Sequence, residues 1–460
     1  MSETLRSVGL DVGTTSTQMI FSELTVENRA SGFAVPEMEI AQRKILYKSP
    51  VHFTPLLDES HVDGAALRTI VEDEYRSAGI DRGSIDTGAI IITGETSRKE
   101  NARAVLNALS DFAGDFVVAT AGPDLESVLA AKGAGAVEYS ERTGKTVLHM
   151  DIGGGTSNLA LIRDGKIAET GCLNVGGRLL KFDENGIVTY ISPVLSELCD
   201  LKSGCKAALA QVETVAETLV QALEMAAGLR KPTVLLNRLW TTEAESLPFG
   251  DEMALTRQTA GEPLVISFSG GVADCIETRH PWLKFGDMGP ILGQAIRKSR
   301  LCQGEYILGS ETIRATVIGA GCHSAQLSGS TVFYRDVAFP LKNIPAVQIP
   351  EPSPEAIRRA LYKQEGTAVI AKPGQPSPSY RDIIALAETV IAATEGKPVF
   401  LCLEQDMAKA LGQALAVRLP PNVPILCIDR VRVSEGSYLD VGAPIGPALP
   451  VVVKTLVLGR

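Results

Sequence analysis

The 460-residue sequence contains no apolar stretch that approaches the roughly 20 residues a transmembrane helix needs. Its first residues, MSETLRS, have neither the basic start nor the apolar core of a secretory signal. No dense Lys/Arg cluster is present and the net charge is -10, which argues against nucleic acids and anionic membranes as partners. These absences predict a cytoplasmic protein that binds neither nucleic acid nor membrane.

Two other absences concern reactive side chains. The eight cysteines are scattered without a CxxC pair, which favours buried free thiols over a disulfide framework or a metal site. The five histidines are isolated from one another, so each is expected to be a core or surface residue and not a metal ligand. Any metal chemistry is therefore expected to depend on carboxylates.

One pattern occurs twice in the sequence. The segments RSVGLDVGTTSTQMIFSEL from Arg6 and KTVLHMDIGGGTSNLALIR from Lys145 each combine an apolar strand ending in Asp, a Gly/Ser/Thr turn and a second β-rich run. Strand, glycine turn and strand are typical of a β-hairpin. Because the copies lie about 140 residues apart, we expect each to open its own domain and the two turns to face one another across a cleft.

The rest of the sequence alternates apolar strands with amphipathic helices, which is typical of an α/β protein. Proline-rich stretches from 339 to 356 and from 371 to 379 are expected to be loops or a linker. A strand, helix and strand pattern then predicts a small C-terminal α/β module. The expected divisions are a first unit at 1–140 completed by about 311–335, a second unit at 141–310 and a C-terminal module at 340–460.

The turns after the two aspartates have the chemistry of an anion site. Glycine lets the backbone approach a ligand closely, and successive amides and hydroxyls can point into one concavity. Neither turn contains the GKS or GKT of a Walker loop, so the charge of a bound nucleotide would have to be offset chiefly by metal. The turn residues are Gly13, Thr14, Thr15 and Ser16 in the first copy and Gly153, Gly154, Gly155 and Thr156 in the second.

Asp11 and Asp151 are candidates to position that metal. Mg²⁺ prefers oxygen ligands and keeps several waters, so a carboxylate on each wall of the cleft suits a hydrated ion on a polyphosphate. One of the acids is also a candidate for orienting the attacking water. The structural alternative is that each Asp caps its own turn, an explanation that weakens when the motif occurs twice.

Two shorter motifs are less specific. The SGG at Ser269–Gly271 follows an apolar strand, where Gly270 and Gly271 would let adenine or ribose approach the backbone, but such glycines also occur for packing reasons alone. In the TGET at 93–96, Glu95 is a candidate base or an acceptor for metal-bound water. Its alternative role is that of an acid favoured at a helix N-terminus.

Five motifs in order resemble those of the actin, Hsp70 and sugar-kinase ATPase superfamily over roughly residues 1–330. They are LDVGTTSTQ, TGETSRKENA, MDIGGGTSN, SFSGGV and ATVIGAGCHS, which look like the phosphate-1, connect-1, phosphate-2, adenosine and connect-2 motifs. Over nearly its full length the chain also resembles the reactivating factors of ethanolamine ammonia-lyase.

This resemblance implies duplicated actin-like (ribonuclease H-like) domains around an interdomain nucleotide cleft, with ATP and Mg²⁺ as cofactors. It implies that Asp11 and Asp151 surround the metal, that the two turns hold phosphates, that Gly270 and Gly271 lie by the adenosine, and that Gly319 and Gly321 lie in the second interdomain connection. Glu95 matches the connect-1 position less closely.

The partner implied by the resemblance is adenosylcobalamin-dependent ethanolamine ammonia-lyase. The factor would release damaged cobalamin in an ATP-dependent cycle so that intact cofactor can enter. An acidic protein of this kind suits the cytoplasm or a bacterial microcompartment, and a homo-oligomer is compatible with it. Two alternatives remain open at this point: a small-molecule kinase of the same fold, which would need a substrate pocket, and a filament-forming ATPase, which would need subunit-contact insertions.

Overall fold

The computed structural model describes most of the chain, with gaps. The described residues are 3–13, 16–28, 38–58, 61–92, 101, 105, 109, 118–120, 123–241, 264–309, 311–323, 326–327, 331–363, 369–372, 378–394, 396–431, 433, 437–442, 444 and 448–455. Thr14, Thr15 and Glu95 lie outside them, as does most of the helix predicted to begin near Thr96. Within these ranges no helix has the length and apolar character needed to cross a membrane.

The strands and helices alternate along much of the chain. The strands β1 to β21 are Glu3–Val12, Ser16–Asn28, Met38–Lys48, His52–Phe53, Thr87–Ile92, Val118–Thr120, Thr146–Ile152, Ser157–Arg163, Lys166–Leu173, Leu180–Phe182, Val188–Ile191, Leu264–Ser269, Tyr306–Leu308, Gln326–Leu327, Phe333–Arg335, Leu341–Gln348, Val369–Lys372, Val399–Leu403, Ile425–Asp429, Ser437–Val441 and Pro450–Thr455. The helices α1 to α12 are Gly64–Ala78, Pro123–Gly133, Ala136–Thr143, Pro193–Ser196, Leu209–Ala226, Val234–Leu239, Asp274–Glu277, Gly289–Lys298, Ala315–His323, Pro354–Lys363, Tyr380–Thr394 and Ala408–Arg418.

Two of the sheets are built on one plan. The first has the order β3-β2-β1-β5-β6, and the second has the order β9-β8-β7-β12-β13. In each sheet the first three strands along the chain pair antiparallel. The strand that carries the motif aspartate also pairs parallel with a later strand, β1 with β5 and β7 with β12. The α/β class and the duplicated arrangement predicted from the sequence are therefore confirmed. We call the first sheet with α1 the first lobe, and the second sheet with α5 the second lobe.

Each of these sheets packs an outer helix on one face. Residues at alternate positions of a strand point to opposite faces. In β1 the apolar face of Val8, Leu10 and Val12 packs against α1, and in β7 the corresponding face packs against α5. Asp11 and Asp151 therefore point away from the outer helices, towards the space between the two lobes.

Helices α2 and α9 lie in that space and connect the lobes. Helix α2 packs on the second sheet, α9 packs on the first, and the two helices pack on each other. Their contact is made by backbone: a Cβ on Gly133 would lie 1.8 Å from the carbonyl oxygen of Ala315, and one on Gly319 would lie 2.0 Å from that of Leu129. Only glycine allows so close a crossing.

The third sheet has the order β14-β21-β20-β16-β17-β18-β19-β15, and its strands β16 to β19 run parallel. Helices α10, α11 and α12 cover one face. Of these, α12 is the helix of the predicted strand, helix and strand pattern, which β18 and β19 complete. The prediction of a loop over the whole proline-rich stretch is wrong, because Leu341–Gln348 forms strand β16. Pro345 is accommodated there because pairing with β17 begins only at Ala346, so its missing N–H interrupts no ladder on that side.

Candidate functional site

The two glycine turns have the same hydrogen-bonded frame. The N–H of Gly13 donates to the carbonyl of Ser16, the N–H of Gly153 donates to that of Thr156, and both distances are 2.9 Å. Each turn follows the strand that ends in the motif aspartate, so Asp11 and Asp151 occupy matching places in the two lobes. In the second turn, the carbonyls of Gly153 and Gly154 accept hydrogen bonds from the N–H groups of Gly177 and Arg178 in the neighbouring loop.

A third carboxylate, Glu126 of α2, lies within electrostatic reach of both aspartates. Burial, followed by the charges of Asp11 and Asp151, raises the pKa of Glu126 well above its usual value, while a hydrogen bond from Asn158 acts in the opposite direction. The site brings together the predicted pair of carboxylates and adds one that the sequence reasoning missed.

Glu126 was missed because its role depends on tertiary position. The sequence indicates a helix at this point, but a helix residue faces the cleft only because α2 crosses between the lobes. The available signal is that this helix lies between the two copies of the hairpin pattern, where the chain must connect the two units.

Asp151 is the more deeply enclosed of the two aspartates, with 6% of its surface exposed. Burial raises its pKa to about 6, while hydrogen bonds from Ser269 and Thr316 act to lower it. Ser269 lies opposite Asp151 on β12, and Thr316 lies in the first turn of α9. The carboxylate is thus held both by its own sheet and by a helix that leads to the other lobe.

Two glycines of the second turn lack a packing reason. A Cβ on Gly155 would meet nothing within 4 Å, and one on Gly153 would make only an ordinary contact at 3.6 Å, with the carbonyl oxygen of Thr156. Neither has the positive φ that would favour glycine. Open space over a turn without side chains is suited to a ligand that approaches the backbone closely.

The other predicted glycines divide into two kinds. Gly270 has a φ of +85°, and a Cβ there would lie 2.3 Å from the carbonyl oxygen of Ile152, so it is explained by packing alone. A Cβ on Gly271 would face only Ile313, at 3.8 Å. Gly319 makes the helix crossing and is likewise structural.

Gln18 is a second polar residue of the cleft that the sequence reasoning did not single out. It lies opposite Asp11 across the first hairpin, and its Nε2 donates to the carbonyl of Ile313 at 3.0 Å. The next residue towards the second lobe, Thr312, accepts a hydrogen bond of 3.0 Å from the N–H of Gly270. The segment before α9 is therefore bonded to both lobes at the edge of the cleft.

The donor set fits a hydrated divalent cation. Its groups are carboxylates, the ligands that Mg²⁺ prefers. Burial and then the charges of Asp11 and Asp151 raise the pKa of Glu126, and a cation there would offset the repulsion between these charges. Among the described residues no three His, Cys, Asp or Glu side chains form a metal-binding group by themselves. Mg²⁺ suits such a site because it commonly completes its shell with water and substrate phosphates.

A separate cavity of about 790 Å³ lies in the second lobe, between α5, α8 and the 279–282 segment. None of the predicted phosphate or metal residues lines it. Its wall mixes acids such as Glu213 and Glu217 with Arg279 and Lys298. The cavity is therefore distinct from the carboxylate cleft.

The protein has two sheets of one plan, connecting helices that cross at glycines, and a carboxylate with a glycine turn at matching places in both lobes. These features define a duplicated α/β protein of the actin-like class. The chain also matches the family described as Ethanolamine utilisation protein EutA over residues 3–459. It belongs to that family.

The chain has close relatives with known names. It is 39% identical to ethanolamine ammonia-lyase reactivase EutA of Salmonella typhimurium and 40% identical to the protein of the same name from Escherichia coli K12, in each case over 98% of both chains. Among solved structures it is similar to MreB 5 of Spiroplasma citri bound to AMPPNP, with 17% identity and a TM-score of 0.35 over 69% of this chain and 95% of that one. A structural likeness at this level carries no argument about function.

Proposed function

We propose that this protein is an ATP-dependent reactivase of ethanolamine ammonia-lyase. It binds MgATP between the two glycine turns and uses the nucleotide cycle to release damaged cobalamin from the lyase, so that intact adenosylcobalamin enters. The observation that carries the proposal is the proximity of Asp11 and Asp151 to Glu126, together with the matching Gly13–Ser16 and Gly153–Thr156 hydrogen bonds of the two glycine turns. The identity of the client is supported by the names of relatives that match the chain over 98% of its length.

Each group of the cleft has a proposed role. Asp11 and Asp151 hold the hydrated Mg²⁺, which neutralises phosphate charge when bound. The turns beginning at Gly13 and Gly153 hold phosphates through their backbone N–H groups. Glu126, which lies within electrostatic reach of both aspartates, orients the attacking water and accepts its proton.

The coupling to the client uses the crossing of α2 and α9. A ligand that touches both turns favours the closed arrangement of the lobes, and a partner with different affinity for the open and closed arrangements is then shifted by the nucleotide. The protein acts on the lyase in the cytoplasm or in a bacterial microcompartment.

The test is recovery of lyase activity. Inactivated ethanolamine ammonia-lyase is incubated with this protein, ATP, Mg²⁺ and adenosylcobalamin, and recovered turnover and released cobalamin are measured. Recovery is expected only with all components present. Replacing ATP by a non-hydrolysable analogue separates a requirement for binding from a requirement for hydrolysis. Transfer of phosphate from ATP to a metabolite, without recovery of lyase activity, would favour a small-molecule kinase instead.

Glu126→Gln provides the sharper variant. It keeps the size and polarity of the side chain, so MgATP binding is expected to persist while hydrolysis falls by about 100-fold or more, as for loss of a general base. Glu169→Gln is the matched control, because Glu169 is an exposed acid on β9 of the sheet on which α2 packs. Wild-type hydrolysis by the Glu126 variant would remove this residue from the proposed chemistry.

A further inference from the structure

A row of polar side chains lies beneath Asp151, inside the second sheet. His149 and Asp151 are two positions apart on β7 and point to the same face. On the neighbouring parallel strand, Ser267 lies opposite His149, and Ser269 lies opposite Asp151. His149 and both serines are completely buried. Further along the same face, Val147 and Ala160 pack beneath α2 and α3.

The four side chains are joined by consecutive hydrogen bonds. Ser267 Oγ lies 3.0 Å from Nδ1 of His149, and Nε2 of the same ring lies 3.0 Å from Ser269 Oγ. The hydroxyl of Ser269 in turn donates to Oδ1 of Asp151. We call the series Ser267, His149, Ser269 and Asp151 the polar row.

The direction of every bond in the row follows from the aspartate. An ionised carboxylate only accepts, so the single proton of the Ser269 hydroxyl is used on Asp151. Ser269 Oγ must then accept from Nε2 of His149, and a neutral ring with a proton on Nε2 accepts at Nδ1 from Ser267. A charged ring would be costly at this completely buried position, where its two nitrogens face only hydroxyl groups, so the ring is neutral.

We infer that His149 is a positioning residue that fixes, through Ser269, the orientation of the Asp151 carboxylate at the cleft. Without the ring, the hydroxyl of Ser269 loses the N–H donor to its oxygen and is free to rotate away from Asp151. With it, all the donors of the row point towards the carboxylate, an arrangement in which each bond strengthens the next. The consequence for metal binding rests on the proposed function, but the row itself does not.

The geometry favours this role over simple filling of the core. An apolar residue would suit a fully buried strand position, and a polar group is retained there only with its hydrogen bonds made. Both ring nitrogens of His149 are used, and the series ends at the one buried carboxylate of β7. Partners that orient a metal-binding carboxylate are expected to affect metal affinity by about 10- to 100-fold.

The first measurement concerns the row alone and needs no nucleotide. In protein labelled with ¹⁵N-histidine, NMR is expected to show His149 as the neutral tautomer with its proton on Nε2, assigned by loss of the signals in His149→Leu. A proton on Nδ1 would reverse the bonds and overturn the inference. This result does not depend on whether the protein hydrolyses ATP.

The second measurement is the Mg²⁺ concentration for half-maximal ATP hydrolysis at saturating ATP. Ser269→Ala and His149→Leu are expected to raise it about tenfold, and His149→Gln, which retains an N–H donor, is expected to stay within about threefold of wild type. Ser140→Ala is the control, because it removes an equally buried hydroxyl of α3 that bonds to the carbonyl of Lys145. A residue of purely structural importance would lower the amount of active protein without shifting this midpoint.

The outcomes separate the two ideas. If wild-type protein neither binds nor hydrolyses MgATP, the proposed function is wrong, and the tautomer still decides whether the row is ordered as inferred. If wild-type protein hydrolyses ATP and His149→Leu keeps its Mg²⁺ midpoint, the positioning role alone is wrong.

Discussion

Replacing Asp151 by asparagine is expected to stabilise the metal-free protein while removing its nucleotide-dependent activity. In the folded protein, burial raises the pKa of Asp151 from 3.8 to about 6. A difference of about 2 pKa units corresponds to about 3 kcal/mol of unfavourable free energy for the ionised form in the fold above pH 6. Asparagine has nearly the same shape and still accepts the hydrogen bond from Ser269, but carries no charge to desolvate.

The effect has a defined pH dependence. Between pH 3.8 and about 6 the folded protein retains a proton that the unfolded chain releases, so the contribution of Asp151 to stability is present below pH 3.8 and is lost as the pH rises through 6. The variant lacks this loss. Its advantage over wild type is therefore expected to be small near pH 4 and to reach its full size above pH 7.

The assay is thermal unfolding of both proteins between pH 4 and 8, without nucleotide or divalent metal. Other buried acids, such as Glu126 and Asp287, have raised pKa values too, so the difference between the two proteins isolates Asp151. Asp183→Asn is a control of opposite sign, because hydrogen bonds from the backbone N–H groups of Ile187 and Asn185 lower the pKa of that surface carboxylate. Parallel pH curves for wild type and Asp151→Asn, or a less stable variant at pH 8, would refute the reasoning.

Three further substitutions are expected to separate packing from ligand binding. Gly319→Ala places a Cβ 2.0 Å from the carbonyl oxygen of Leu129, so it should lower the unfolding temperature and the activity together. The Cβ of Gly155→Ala meets no atom within 4 Å, so this variant should keep its stability and bind MgATP more weakly in calorimetry. Arg230→Met removes the guanidinium that lies 2.7 Å from the buried Glu224, which keeps the hydrogen bond from the N–H of Arg300. It should destabilise the protein by about 1.5 kcal/mol in denaturant titration while MgATP binding is retained. Equal unfolding temperatures for the two alanine variants would contradict the account of the crossing.

The sequence was most informative where local chemistry repeats. Strand periodicity, helix periodicity and turn residues are local signals. They predicted the two hairpins, the strand before each glycine turn and the helix of the second connection. The duplication added the expectation that Asp11 and Asp151 approach one another. That expectation depends on tertiary structure, and it was reachable only because the same pattern occurs twice.

Other features were invisible in the sequence for a physical reason. Glu126 joins the site through the crossing of a connecting helix, and His149 and Ser267 meet through the register of two strands more than 100 residues apart. An isolated buried histidine is usually a core residue, and nothing in the residues around it tells which strand lies beside it. Pro345 contributed to the wrong prediction of a loop, because a proline is tolerated in a strand at a position where one neighbouring strand has not yet begun to pair.

The crossing of α2 and α9 has a consequence for how the molecule moves and how it is assembled. The chain leaves the first lobe along α2 and returns along α9, and the two helices touch backbone to backbone at Gly133 and Ala315. The second lobe is in this sense an insertion whose entrance and exit share one point. Rotation about that point changes the width of the cleft without separating the helices, so a small angular change at the glycines becomes a larger displacement at the distant rims of both lobes.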